Sequence, residues 1–353
     1  GAAGCALAAR LSEDPDCSVL LIEAGGRDWN PLLGVPLMTG LILRSAYSNW
    51  SYVTEPEPHL NDRRLQWARG RILGGSTSIN GMVYMRGLPR DFDRWAAEGL
   101  PGWSYADVLP YFLRSENSFR GASAFHGKGG PLHVSAGRLE NPLFQVYLEA
   151  ATQAGHPRTD DFGGPHPHGA GCYDFTIRHG RRVSSSTAFL HGAMARPNLR
   201  VVTHAQVLQL HWGPGGLVNG VEILQRGQRK RLHATREVLL CGGAVNSPQL
   251  LMLSGIGPAD ALRAHQVPVR VDLPGVGQGM QDHLLVRVDH RATRDVTIDR
   301  LRRLDRAAWA LVRAMLWGTG PASSFPLEVG GLYKSSPELA DPDLQSHFLP
   351  GLS

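Results

Sequence analysis

The opening stretch limits the fold more than anything after it. Gly1-Ala-Ala-Gly4 runs directly into a helical pattern ending near Leu11, with Ala6, Leu7, Ala8 and Leu11 on its buried side. Ser18-Val-Leu-Leu-Ile22 follows, an unbroken apolar run of strand length, as expected of a parallel strand covered on both faces. It stops at Glu23, 19 residues after Gly4. Two glycines, a helix, a strand and a carboxylate at this spacing are the later parts of a dinucleotide fingerprint. In that role Gly1 lets the backbone approach a pyrophosphate and Gly4 lets the helix close on the sheet. The helix N-terminus favours negative charge, and Glu23 accepts from ribose hydroxyls. A bare Gly-x-x-G also suits an ordinary turn; the strand, the spacing and Glu23 favour the dinucleotide.

At 353 residues the chain has room for about two domains. Hydrophobic residues at 42% and charged residues at 19% exclude disorder, collagen and coiled coil. The net charge of +5 is too diffuse to argue for nucleic acid, though it helps hold an anionic cofactor. Cys5, Cys17, Cys172 and Cys241 form no CxxC pair, which speaks against a zinc site or a disulfide framework. His166 and His168, in Pro-His-Pro-His, lack a spaced third ligand, so no metal is expected. No apolar run reaches the ~18 residues of a membrane span. Ala308 to Trp317 is short and carries Arg313, and is expected as a buried helix. The protein is expected in the cytoplasm or at the periphery of a membrane, with its oligomeric state open.

Further along, Ala96 to Phe112 reads as one mixed helical stretch and Pro131 to Val134 as a short strand. His156 to Gly171, rich in Gly, Pro and His, reads as a loop. Strands are expected at Leu199–Thr203, Val207–Trp212 and Val218–Leu224, the last two joined by the Gly-Pro-Gly-Gly turn at 213–216. Glu237–Cys241 reads as another strand, leading through Gly242-Gly243 to a helix entered at Ser247-Pro248.

A second glycine loop carries more chemistry. In Gly70-Arg-Ile-Leu-Gly-Gly-Ser-Thr-Ser-Ile-Asn80-Gly-Met-Val-Tyr-Met-Arg-Gly87, the Gly74-Gly75 turn before Ser76 and Thr77 leaves backbone N–H groups free for an anion. A structural turn and cap would not require the series Arg71, Asn80, Tyr84, Gly87 and Asp93. Segment 70–93 resembles the first signature of the glucose-methanol-choline (GMC) flavin oxidoreductases, and Gly243-Ala-Val-Asn-Ser-Pro-Gln-Leu-Leu-Met-Leu-Ser-Gly-Ile-Gly257 resembles the second. Gly180-Arg-Arg-Val-Ser184, Val207 and Leu273-Pro-Gly-Val-Gly-Gln-Gly-Met-Gln-Asp-His283 also look like family landmarks. The resemblance covers essentially the whole chain, and Ser254–Gly257 and Leu344–Pro350 are most similar to its choline-oxidising branch.

The resemblance implies an α/β fold: a doubly wound, Rossmann-like FAD-binding domain from 1–130 and 180–290, with an α+β substrate domain from 131–179 and 291–353. It implies FAD held along the first half, with Gly1, Gly4 and Glu23 at the dinucleotide end. Gly75, Asn80, Met82 and Val83 would line the isoalloxazine, Val207 would contact the adenine region through its backbone, and Asp282 and His283 would end a segment beside the flavin. Some relatives attach the flavin to a His in the first signature; Ile79 stands at that position, so the FAD should be non-covalent. Gly279 stands where relatives usually carry Asn. The fingerprint's first strand and first glycine are missing, and so is the family's C-terminal segment with its catalytic His. The expectation is a fragment lacking both ends, with the catalytic His beyond Ser353 and the isolated chain poorly soluble or without FAD.

The expected activity is hydride removal from the CH–OH carbon of a small alcohol to the flavin, with an electron acceptor left open. Alternatives are a dehydrogenase or oxidase for aliphatic or aryl alcohols, a lyase with structural FAD, and an inactive fragment. In choline-oxidising relatives a Glu at the position of Glu328 faces the substrate's trimethylammonium group, with Phe325 and Phe348 as candidate aromatic faces. Without the resemblance, Glu328 would read as an ordinary strand-end residue.

Overall fold

Small residues at the start of the chain let a helix lie flat on a strand. The computed structural model describes residues 1–351, which divide into two interleaved units. The first holds Gly1–Trp29, Ile42–Ile79 and Ser185–Arg287; the second holds Asn30–Leu41, Asn80–Ser184 and 288–351.

In the first unit the helix Ala2–Leu11 turns Cys5, Ala8 and Ala9 into a core with Leu73, Leu190, Ala193 and Leu199. Strand Val19–Ile22 pairs in parallel with Leu199–Val202, Val19 opposite Leu199 and Ile22 opposite Val202. An antiparallel sheet follows, Ala205–Trp212, Val218–Gln225 and Gln228–His233 in that order. Ala205, Leu210, Val221 and Ile223 form its core, with Leu250 and Leu251 of the helix Gly243–Leu253 packed against it. Ser254 ties the helix end to the sheet: its Oγ donates to the Leu250 carbonyl at 2.6 Å and accepts from the Leu210 N–H at 2.9 Å.

In the second unit four strands run in the order Val83–Tyr84, Asp174–Phe175, Leu132–Ala136, Glu116–Ser118. A three-stranded sheet places Val329–Tyr333 between Leu344–Phe348 and Gly169–Cys172. The helix Pro142–Gln153, started by the Asn141 side chain, buries Phe144, Leu148 and Ala151 beside Ala170 and Val329.

Several local expectations change. Ala96 to Phe112 is not one helix: Pro89–Ala97 and Tyr105–Ser115 are separate, because Gly99 and Gly102 both take positive φ and Ser104 with Asp107 caps the second. Glu237–Cys241 forms no ladder with any described residue. The helix expected to start at Ser247-Pro248 starts at Gly243, since Gly243 at φ +81° makes the turn, and Pro248 lies inside. Ala308–Trp317 belongs to a longer helix, Leu304–Trp317, that is not buried: Ala310 and Ala314 pack inward, while Trp309, Leu316 and Trp317 are exposed. The end of the 156–171 loop is a strand, Gly169–Cys172. Residues 30–41 and 80–130, read from sequence with the cofactor part, pack within the second unit. Among the described residues no helix is long and apolar enough to cross a membrane.

Candidate functional site

Three glycine-bearing segments of the first unit meet at the start of the first helix. Gly1 is its N-cap, with no side-chain cap and no acidic residue in the first turn, so the helix start keeps its positive end open. Gly75, at φ +55°, passes so close that a Cβ there would lie 2.6 Å from the Gly1 Cα. A Cβ on Gly25 would lie 1.9 Å from the Arg71 carbonyl oxygen. Gly4 faces Cys241, whose Cβ would be 3.3 Å from an added methyl. At Gly75 and Gly25 only glycine allows this contact of backbone with backbone.

Glu23 closes the group. Its N–H extends the parallel ladder to the Val202 carbonyl at 2.9 Å, and its Oε1 accepts from the Gly25 N–H at 2.8 Å. Its Oε2 lies 3.8 Å from the Gly1 nitrogen. Burial raises the carboxyl above the ordinary carboxylate range, opposed by the Gly25 N–H and Arg71. The Arg71 guanidinium lies over the Trp50 ring, 4.8 Å from its centre. Its buried Nε has no hydrogen-bond partner among the described residues. The 74–78 turn is held by its own hydroxyls: Thr77 Oγ1 donates to the Gly74 carbonyl at 2.6 Å and Ser78 Oγ to the Leu73 carbonyl at 2.7 Å. An uncapped helix start, a glycine cradle that any Cβ would fill and an orphaned buried donor all fit an anionic dinucleotide.

Val207 lies on the strand Ala205–Trp212, whose start is tied to the same place, Ala205 N–H donating to the Glu23 carbonyl at 3.0 Å. The ladder slips between Val207 and Gln209. Gly257 is not part of the cluster; it pairs in a short parallel ladder with Asp272 and packs on Met252. Asp282 accepts from Trp67 Nε1 at 2.7 Å, and the His283 N–H holds its carboxyl below the ordinary value. Gly279 sits at φ +66° with open space around it, a backbone position that suits Gly or Asn.

The chain crosses into the second unit between Ile79 and Asn80. Ile79 is fully buried. Met82 holds φ +60°, unusual for a residue with a side chain. Asn80 sustains it: its Oδ1 accepts from the Met82 N–H at 3.1 Å and from Arg182 at 2.9 Å. Arg182, 6% exposed, also donates to the Leu33 carbonyl at 2.9 Å, the Asn80 carbonyl at 2.6 Å and Thr39 Oγ1 at 2.7 Å. Burial pulls it down to about 10. Nothing in the spacing of Arg182 announces that one guanidinium fastens Leu33, Thr39 and Asn80. Val83 pairs with Phe175, and the Met82 carbonyl accepts from the Thr176 N–H at 2.9 Å.

Glu328 is 4% exposed. One carboxylate oxygen accepts from Ser324 Oγ and the other from the Leu139 N–H. Burial raises its carboxyl, opposed by these hydrogen bonds. Phe325 presses on Gly81, where a Cβ would lie 2.7 Å from the ring. Phe348 is stacked on Tyr147 with ring centres 4.9 Å apart.

The chain matches the family described as GMC oxidoreductase over residues 1–285. It is 44% identical to mouse (Mus musculus) "Choline dehydrogenase, mitochondrial" over 360 residues, 99% of this chain and 60% of that protein. Among solved structures it is similar to pyridoxine 4-oxidase from Mesorbium loti, with 38% identity and a TM-score of 0.74 over 78% of this chain and 54% of that one. It is also similar to an FAD-dependent oxidoreductase from Chaetomium thermophilum, with 27% identity and a TM-score of 0.82 over 94% of this chain and 60% of that one. The chain thus spans 60% of the length of its curated relative from mouse.

Proposed function

The chain belongs to the GMC oxidoreductase family, an α/β fold with a Rossmann-like FAD-binding region and a separate α+β substrate domain, and from that premise we propose that the protein binds FAD non-covalently and oxidises the CH–OH group of a small alcohol. The observation that carries this reading is the meeting of Gly1, Glu23 and Gly75 beside the orphaned Arg71 Nε. The open start of the Ala2–Leu11 helix would face the diphosphate, and Glu23 would accept from the ribose hydroxyls. Val207 would offer its backbone to the adenine. Asn80 and Arg182 fix Met82 and Val83, which would line the ring system. Bound there, FAD supplies a two-electron acceptor for a hydride leaving the alcohol carbon. Ile79, an aliphatic side chain, supports non-covalent attachment.

For the substrate, the 44% identity to the mouse choline dehydrogenase supports a choline-type alcohol. Glu328 fits the part in one respect. Its oxygens are already hydrogen-bonded, but a trimethylammonium group needs negative charge rather than an acceptor. A generic CH–OH substrate is the second reading, favoured by the engagement of Phe348 with Tyr147 rather than with an open pocket.

The test is spectroscopic. The full-length protein should purify with a flavin absorption band that bleaches when choline is added without oxygen. A protein that takes up no FAD contradicts the cofactor reading. A flavin that no alcohol bleaches favours a non-redox role.

A further inference from the structure

The second unit contains a buried charge network that the reading above does not use. His126 is 5% exposed and stands between two carboxylates. Its Nδ1 is 3.1 Å from Glu116 Oε1 and its Nε2 2.8 Å from Asp161 Oδ2. Glu116, fully buried, also accepts from Arg86 Nη2 at 2.6 Å and from the Gly127 N–H at 2.9 Å. Asp161 also accepts from the Gly163 N–H at 2.9 Å, and Arg120 lies 3.8 Å from it. An ionised carboxylate can only accept, so both ring nitrogens must carry a proton for both bonds to exist.

The network is fastened to the segment 82–86 at two points. Arg86, three residues after Val83, grips Glu116 and the Phe125 carbonyl. Tyr84 pairs with Asp174, and Asp174 is held by Arg120 through two hydrogen bonds of 3.0 and 2.9 Å. Tyr84, Arg86, Asp174 and Phe162 line the same small cavity as His126. The groups around the imidazole are therefore Glu116, Asp161, Arg86, Arg120, Asp174 and Tyr84.

We propose that His126 is a positioning residue: as an imidazolium it clamps Glu116 and Asp161 together and so sets the segment 82–86 that carries Met82 and Val83, and losing its proton loosens that segment. The role of Met82 and Val83 beside a flavin rests on the reading above; the clamp does not. The hydrogen bond to Asp161, then the one to Glu116, raises the imidazole to about 9. The clamp is thus closed at neutral pH and opens in alkali.

The full-length protein, labelled with 15N at histidine and at backbone amides, tests this by NMR between about pH 6 and about pH 10. The His126 ring should keep both protons at neutral pH and lose one near 9. The Met82 and Val83 amide signals should move with the same midpoint. Asp161→Asn should lower that midpoint by about one unit or more, an effect that a purely steric role for His126 would not produce. His126→Gln assigns the ring signals; if it fails to fold, Asp161→Asn assigns them through their displaced titration. A neutral His126 at pH 7, or Met82 and Val83 signals indifferent to its titration, overturns the proposal. Failure to bind FAD would overturn the cofactor reading alone, because the amide readout is independent of the flavin.

Discussion

Gly75 and Gly1 touch through bare α-carbons: a Cβ on Gly75 would fall 2.6 Å from the Gly1 Cα. The first and second glycine loops are therefore one structure, although they are more than 70 residues apart in sequence. Gly75 cannot carry a side chain at the contact without moving the Gly1 backbone.

Gly75→Ala should therefore be costly. The residue has φ +55°, and the obstacle is backbone, which cannot rotate away. Left-handed backbone costs an alanine roughly 1–2 kcal/mol, and overpacking adds about 1–3 kcal/mol. Thermal unfolding of the variant should show a clearly lowered midpoint and reduced FAD retention. Wild-type values for both would mean that the two loops are not in contact.

Arg182→Ala should destabilise by about 2–4 kcal/mol, because it leaves Asn80, Thr39 and the Leu33 carbonyl without their shared donor. Met82 at φ +60° should relax with it. Urea unfolding measures the loss. A stability change below about 0.5 kcal/mol, the usual range of surface substitutions, would show the guanidinium to be dispensable.

Stability should fall in alkali because of His126. Its folded value, about 9, stands above the ordinary 6.5. The contribution is therefore fully present below about pH 6.5 and is lost as pH rises through about 9. Unfolding midpoints of the wild type should drop between these limits, and Asp161→Asn should flatten the drop. The same slope in both proteins would place the pH dependence elsewhere.

Glu328→Gln separates the two substrate readings. It keeps the side-chain size and loses the charge. Choline oxidation should weaken much more than oxidation of a neutral alcohol of similar size, chiefly in KM. Equal losses would make Glu328 a fastening for the Leu139 turn and favour the generic alcohol.

Much of this was legible in the residues. The first helix, the strand ending at Glu23 and the strands near 199, 207 and 218 follow from apolar periodicity and turn chemistry, and the structure places them at Ala2–Leu11, Val19–Ile22, Leu199–Val202, Ala205–Trp212 and Val218–Gln225. The strand Gln228–His233 escaped because Gln-Arg-Lys-Arg-Leu-His has no apolar alternation; its partner Val218–Gln225 imposes the pairing. The exposure of Trp309 and Leu316 was equally hidden, since periodicity does not say which stripe is covered. At the site, Glu23 and the glycines were readable as a motif. The bonds of Arg182 and the two carboxylates around His126 were not, because they join residues far apart in the chain and only the folded backbone brings them together.

The most direct test of the whole account is the FAD dissociation constant of the full-length protein beside that of Glu23→Ala, measured by quenching of flavin fluorescence. Hydrogen bonds to a charged group contribute about 1.5–3 kcal/mol each, so the variant should bind FAD roughly 10- to 100-fold more weakly, and unfolding without cofactor should separately register the lost Gly25 hydrogen bond. Equal affinity in the two proteins would remove Glu23 from the cofactor site and contradict the account.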